Sequence, residues 1–304
     1  MKFLSIITSL VILTACQQSY TILQLTDLHL QLQHPDQIAD VFDRMDSLVK
    51  WEDPDLITIT GDLVYSTPAD TLMRLITDKL DSFERPWVVV YGNHDHEHGF
   101  TRAQLAQIIV SCKHTLNTLG PDGSLADIEI PVFNWHLYFL DSHAYSTDPV
   151  DYSNFSYAWF TDEQVQWVRE TAGKHPDTPS IAFFHIPFPE YADTIGHIGT
   201  FGEPVCCGKH NPGMFDAMRE TGFIATFCGH DHDNDYAVLH PAVMPDSDRA
   251  SSAQVLLCYG RYSGSDGEYN HLPKGARVIR LHSNGHLDTW IRESSGAIQN
   301  RISL

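Results

Sequence analysis

The sequence predicts a single α/β domain in which two β-sheets pack together with helices outside them. Three observations lead to that reading. Apolar, β-branched runs of strand length recur along the 304 residues, and five of them end on Asp, Asn or His. Stretches with helical spacing separate the first three runs, an alternation that gives parallel strands joined by right-handed crossovers. Beyond His230 the chain reads mostly as strand and contains a strong hairpin signal.

The first strand spans Tyr20 to Thr26 and runs into Asp27-Leu28-His29. A helix from about Gln37 to Trp51 follows, because Ile38, Val41, Phe42, Met45, Leu48 and Val49 fall on one face. Leu56 to Thr60 is the second strand, ending at Gly61-Asp62. Ala69 to Ser82 is the second helix, with Leu72, Leu75, Ile76 and Leu80 on its stripe. In the third strand, Trp87 to Tyr91, the β-branched run stops at Gly92 and holds up Asn93-His94-Asp95 on a turn. A helix near Arg102 to Cys112 precedes a hairpin over Ile128 to Leu140, with Phe133-Asn134-Trp135-His136 at its turn. After a loop rich in Tyr and Ser (141–158), a helix from Asp162 to Thr171 leads to the strand Ile181 to Phe184 and its terminal His185. Pro187 to Gly213 is aperiodic, with several Gly and Pro, and is expected to be a long functional loop. Met214 to Glu220 is a short helix, and Phe223 to Cys228 a strand ending at Gly229-His230-Asp231-His232. Strands at Tyr236 to Leu239 and Val255 to Tyr259 precede a hairpin from Ala276 to Ile291 that turns at Asn284-Gly285. No repeat or linker divides the chain, so residues 21–304 are expected to form one domain.

Lys and Arg total 19 against 39 Asp and Glu, a formal charge of −20. That surface lacks the basic footprint a nucleic-acid partner needs. It also repels anionic substrates, so a phosphate ester would need local cations, which bound metal ions supply. Met1-Lys2 followed by the apolar run Phe3 to Leu13 suits a signal peptide and is too short for a stable bilayer span. Leu13-Thr14-Ala15-Cys16 resembles the bacterial lipobox, in which the cysteine becomes the acylated first residue. An ordinary secretory peptide with an incidental cysteine is the alternative. On the lipoprotein reading, residues 1–15 are the signal peptide and 16–20 a short linker. Lipidated Cys16 would tether the exported protein to a membrane of the bacterial cell envelope, in the periplasm or at the cell surface. Cys112, Cys206, Cys207, Cys228 and Cys258 show no disulfide spacing. Cys228 and Cys258 read as small buried side chains, and the state of Cys206-Cys207 stays open.

Residues two apart on a strand share a face, so Asp27 and His29 can reach one ion, and His230 and His232 can aim at one site. Asp62 offers a carboxylate able to bridge two ions, Asn93 a carbonyl oxygen and His185 an imidazole. A mixed N/O set without thiolate suits Zn, Mn or Fe. The set exceeds what one ion needs. With one carboxylate shared, it suits two ions about 3.5–4 Å apart, an arrangement that lowers the pKa of bound water to roughly 7.

In order, Asp27-x-His29, Gly61-Asp62, Gly92-Asn93-His94-Asp95, His185 and Gly229-His230-x-His232 resemble the motif set of the calcineurin-like metallophosphoesterases, over about residues 21–235. The resemblance implies a four-layer αββα sandwich and a phosphoesterase with two divalent or trivalent metal ions, in which hydroxide held by the metals attacks phosphorus. It places Asp27, His29, Asp62 and His232 on one ion, and Asp62, Asn93, His185 and His230 on the other. It makes His94 the group that donates a proton to the leaving oxygen or stabilises charge in the transition state. Softer matches are Phe184-His185-Ile186-Pro187-x-Pro189-Glu190-Tyr191, Gly202-Glu203, Cys206, Asn211-x-Gly213 and Asn234-Asp235. They look like the branch of purple-acid-phosphatase-like proteins and related fungal phosphatases. True purple acid phosphatases use the tyrosine of Gly-Asp-x-x-Tyr and lack the histidine of Asp-x-His. Here Tyr65 has that spacing while His29 is present, and His29 is the expected ligand.

Around this set, Asp95 is expected to orient His94 through a hydrogen bond. Asp231, between two ligands, should face away and be structural. His96 and His98 could touch metal or substrate, or belong to a solvated loop. Arg261 could meet a substrate phosphate in bidentate fashion, or form a plain salt bridge. Tyr145, Tyr152, Phe155 and Tyr157 could wall a substrate cleft, with aromatic packing as the default. The expected activity is hydrolysis of a phosphate monoester, either a small molecule or a phosphorylated substrate. The alternatives are a phosphodiesterase or nucleotide pyrophosphatase on the same ligands, and a non-catalytic metal-binding surface lipoprotein.

Overall fold

Three parallel strands, β1 (Ser19–Leu25), β2 (Leu56–Thr60) and β3 (Trp87–Val90), lie side by side in the computed structural model, which describes residues 18–146, 156–241, 253–265 and 268–304. The expected leader with Cys16 lies outside the described residues, as do Tyr152 and Phe155. β2 and β3 are buried along their whole length, as strands covered on both faces are. Helices α1 (Pro35–Glu52) and α2 (Ala69–Ser82) make the two crossovers. Pro35 starts α1 where a missing N–H has no consequence. Asp53 ends it in a left-handed conformation, its N–H donating to the Val49 carbonyl.

β10 (Gly275–His282), β11 (Leu287–Glu293) and β12 (Ile298–Ser303) extend this sheet antiparallel, in the order β12-β11-β10-β1-β2-β3. The edge strand β12 was not foreseen. Its run Ile298-Gln299-Asn300-Arg301-Ile302-Ser303 holds two apolar residues and stays half-exposed, so it carries almost no periodic signal.

The second sheet runs β4-β5-β6-β7-β9-β8. It comprises β4 (Ile128–Val132), β5 (Trp135–Phe139), β6 (Ser180–Phe183), β7 (Phe223–Cys228), β8 (Ala237–His240) and β9 (Val255–Tyr259). Its four inner strands are parallel and its two edges antiparallel. The β4–β5 turn is only Phe133-Asn134, with Phe133 at φ +54°. Trp135 and His136, expected in that turn, belong to β5, where the Trp135 ring is buried and donates to the His282 carbonyl.

Between the sheets, Ile22, Val88 and Val90 pack on Trp135, Phe139, Phe183 and Phe227. Helices α1, α2 and α3 (Arg102–Val110) cover the outer face of the first sheet. Helices α4 (Asp162–Ala172) and α5 (Met214–Glu220) cover that of the second. This is the four-layer αββα sandwich of two mixed sheets. The loops after β1, β2, β3, β6 and β7 meet at one rim, where the carboxyl ends of parallel strands leave backbone free for a site.

Candidate metal centre

Backbone hydrogen bonds stitch that rim together. Asp27 N–H donates to the Gly61 carbonyl at 3.1 Å and His29 N–H to that of Asp62 at 2.9 Å. Gly229 N–H donates to the His185 carbonyl at 3.1 Å, and His230 N–H to the Asp27 carboxylate at 3.1 Å, so the two sheets are joined there. Strand alternation, the sequence basis for pairing Asp27 with His29, ends before either residue. Left-handed turns aim them instead: φ is +54° at Asp27, +46° at His29, +52° at Asp62 and +80° at His230. Such conformations cost about 1–3 kcal/mol each and persist where the surroundings over-determine them. Two glycines make the approach possible. Gly61 has φ +90°, and a Cβ there would lie 2.4 Å from His185 Nδ1; a Cβ on Gly92 would lie 2.0 Å from Asp62 Oδ1.

The side chains gather in two buried groups, Asp27-His29-His232 and Asp62-His185-His230, each with its ligand atoms within 4.8 Å of one another. Asp62 stands between them. Its Oδ2 is 3.2 Å from His185 Nε2 and 3.5 Å from His29 Nε2, while Oδ1 accepts the His94 backbone N–H at 2.9 Å. Asn93 Oδ1, 3.2 Å from His185 Nε2, joins the second group. Asp27 Oδ1 lies 3.9 Å from His29 Nε2 and 3.8 Å from His232 Nε2.

Two of the imidazoles are oriented as ligands usually are, with the far nitrogen held by a carbonyl. His185 Nδ1 donates to the Thr60 carbonyl at 2.8 Å and His232 Nδ1 to that of Tyr269 at 2.9 Å, which turns both Nε2 atoms inward. Both ring nitrogens of His29 and Nε2 of His230 are buried with no hydrogen-bond partner among the described residues. Leaving such a polar atom unsatisfied costs about 1–3 kcal/mol, and a cation removes that cost. The donor set therefore fits two metal ions.

Burial pushes the imidazoles of His29 and His230 well below their ordinary pKa, which leaves them neutral with lone pairs to offer. At His185 burial is outweighed by the Asp62 and Asp27 carboxylates, which raise it to about 9. Asp62 lies well below its ordinary value because His185, then His29, outweigh its burial. Asp27 is raised by burial.

His94 borders the first group, its ring 5.4 Å from that of His29, and is a quarter exposed. Asp95 does not reach it, which corrects the expected role. The Asp95 carboxylate accepts the N–H groups of Leu63 (2.7 Å), Gly92 (2.8 Å), Asp62 and Val64 (both 3.2 Å), pinning two ligand turns together. Burial and then the Asp62 charge push it up to about 6. Neighbours in this turn point opposite ways, and Glu97 lies against His94 instead, 2.6 Å from Nδ1. Sequence reasoning missed Glu97, although the (i, i+3) spacing was there to find.

Of the two readings of Arg261, the structure bears out the salt bridge and not the substrate contact. The residue is fully buried, its guanidinium donates to Asp235 and to the Pro273 carbonyl, and Glu293 lies 3.7 Å away, so its charge is met inside the fold and away from substrate. Breaking a buried pair leaves a charge uncompensated; Arg261→Met should lower stability by about 3–5 kcal/mol in urea unfolding, with KM for substrate unchanged.

Tyr65 lies edge-on to His29 and His94 at 5.1 and 4.8 Å. His96 and His98 are in neither group, and His98 packs on Tyr65. Tyr145 bonds Asn93 and Tyr157 stands edge-on to His230 at 4.3 Å, so these two do wall the site. Asp231 faces away, accepting from Tyr259 and the Cys206 N–H; Cys206 and Cys207 are free thiols.

Compared with known proteins, residues 20–234 match the model of the calcineurin-like phosphoesterase family. Phosphatase DCR2 of Saccharomyces cerevisiae is 28% identical over 322 residues, 90% of this chain and 53% of that protein, so the chain spans about half its length. "Probable inactive purple acid phosphatase 29" of Arabidopsis thaliana is 31% identical over 268 residues, 71% of this chain and 68% of that protein. Among solved structures, purple acid phosphatase PPD1 from yellow lupin (Lupinus luteus) seeds has a similar fold, with a TM-score of 0.59 at 12% identity over 94% of this chain and 53% of that one.

Proposed function

The chain belongs to the calcineurin-like phosphoesterase family, and from that premise we propose that it is a hydrolase of phosphate monoesters with two metal ions at the rim described. The observation that carries the reading is Asp62, a buried carboxylate with one oxygen facing the histidines of both groups. Asp27, His29, Asp62 and His232 would hold one ion, and Asp62, Asn93, His185 and His230 the other. Bound there, two ions would polarise the phosphate oxygens and acidify water at the site. The chain's own residues do the rest. The Thr60 and Tyr269 carbonyls fix His185 and His232, and burial keeps bulk water from the ligands. His94, partly exposed beside His29, would pass a proton to the departing alcohol oxygen. The membrane tether through Cys16 remains part of the proposal, and labelled palmitate should enter the wild-type chain and not Cys16→Ala.

The deciding experiment reconstitutes the protein with Mn, Fe or Zn and compares p-nitrophenyl phosphate with bis-p-nitrophenyl phosphate. Monoester turnover should dominate. A dominant diester rate would assign the chain to phosphodiester chemistry. No turnover with two metals bound would favour a non-catalytic role, a reading raised by relatives whose names include "inactive".

A further inference from the structure

We propose that Glu97 is the positioning residue of His94 and that, through Tyr145, it also sets the amide of Asn93. The proposal rests on the phosphoesterase reading only for what His94 does. Glu97 Oε2 lies 2.6 Å from His94 Nδ1. A carboxylate only accepts, so Nδ1 carries a hydrogen and Nε2 faces the cleft, where the charged ring holds the second proton, the one passed to the leaving oxygen. The other oxygen, Oε1, accepts the Tyr145 hydroxyl at 2.7 Å, and that hydroxyl accepts from Asn93 Nδ2 at 3.1 Å. Asn93 thereby turns Oδ1 toward His185, where its lone pairs are of use to a cation. Flipping the amide would break the contact with Tyr145.

The local fold makes the arrangement reproducible. Glu97 N–H donates to the His94 carbonyl at 3.1 Å, a turn that brings residues three apart to one side. The Glu97 side chain is about one-third exposed. An exposed ion pair contributes about 0–1 kcal/mol to stability, so orientation is the larger effect of this contact.

The test uses the metal-loaded full chain as wild type, Glu97→Ala, Glu97→Gln, His94→Ala and the double variant His94→Ala/Glu97→Ala. In long-range 1H–15N spectra, the signal lost in His94→Ala should report a ring always protonated at Nδ1 in wild type and a mixture that includes rings bare at Nδ1 in Glu97→Ala. At saturating metal, two ions should remain bound in every variant. For an alkyl ester such as glycerol phosphate, kcat should fall about 10–100-fold in Glu97→Ala, with a smaller loss in Glu97→Gln, which keeps the shape and an acceptor oxygen. For p-nitrophenyl phosphate, whose leaving group departs without a proton, kcat should change far less, and KM for both esters little. The double variant should match His94→Ala, since the two residues act as a unit. An unaltered His94 ring signal, equal losses on both esters, or additive losses would overturn the proposal. If the ring signal shifts as expected while wild type turns over neither ester, the positioning stands and the phosphoesterase reading falls.

Discussion

Asp62→Asn should leave at most one metal ion per chain and reduce kcat by at least about a hundredfold, since the ions are asked for several kcal/mol of transition-state stabilisation. The substitution is isosteric, so the fold should survive. The amide oxygen can still accept the His94 backbone N–H in place of Oδ1. That turns the NH2 group toward His29 Nε2 and His185 Nε2, where it donates hydrogen bonds in place of a cation. Elemental analysis of the purified variant, beside a thermal melt to establish folding, reads the result. Two ions still bound would show that Asp62 is not shared between the groups.

His94→Ala should separate chemistry from metal binding. The ring touches Tyr65, His29 and Glu97, and it lies in neither ligand group. Its removal should keep both ions and, on an alkyl ester such as glycerol phosphate, lower kcat by about 10²–10⁴-fold, the usual contribution of a positioned proton donor. KM should move much less, because the phosphate would still be held by the metals. An unchanged kcat on that alkyl ester would remove His94 from the mechanism.

The features legible in the sequence were those carried by local pattern. α2, α5, β2, β7 and β9 fall where apolar spacing placed them, and the seven ligand candidates stand at strand ends as their runs announced. What stayed hidden depends on contacts made through space. Alternation suggested that Asp27 and His29 share a face, whereas both sit past the strand in left-handed turns held by Gly61 and Asp62. Asp95 is next to His94 in the chain and far from it in role, because its carboxylate is taken by four backbone N–H groups. Arg261 looked available until its partner Asp235, 26 residues away, was beside it. Trp135 followed an Asn that could end a turn, and only the two-residue geometry of Phe133-Asn134 shows it entering β5.

Everything proposed for the site depends on two cations lying one in each histidine group with Asp62 between. Anomalous difference density from crystals of the metal-loaded protein tests this most directly. Two peaks about 3.5–4 Å apart, one against Asp27, His29 and His232 and one against Asn93, His185 and His230, are expected. A single peak, or none within reach of Asp62, would contradict it.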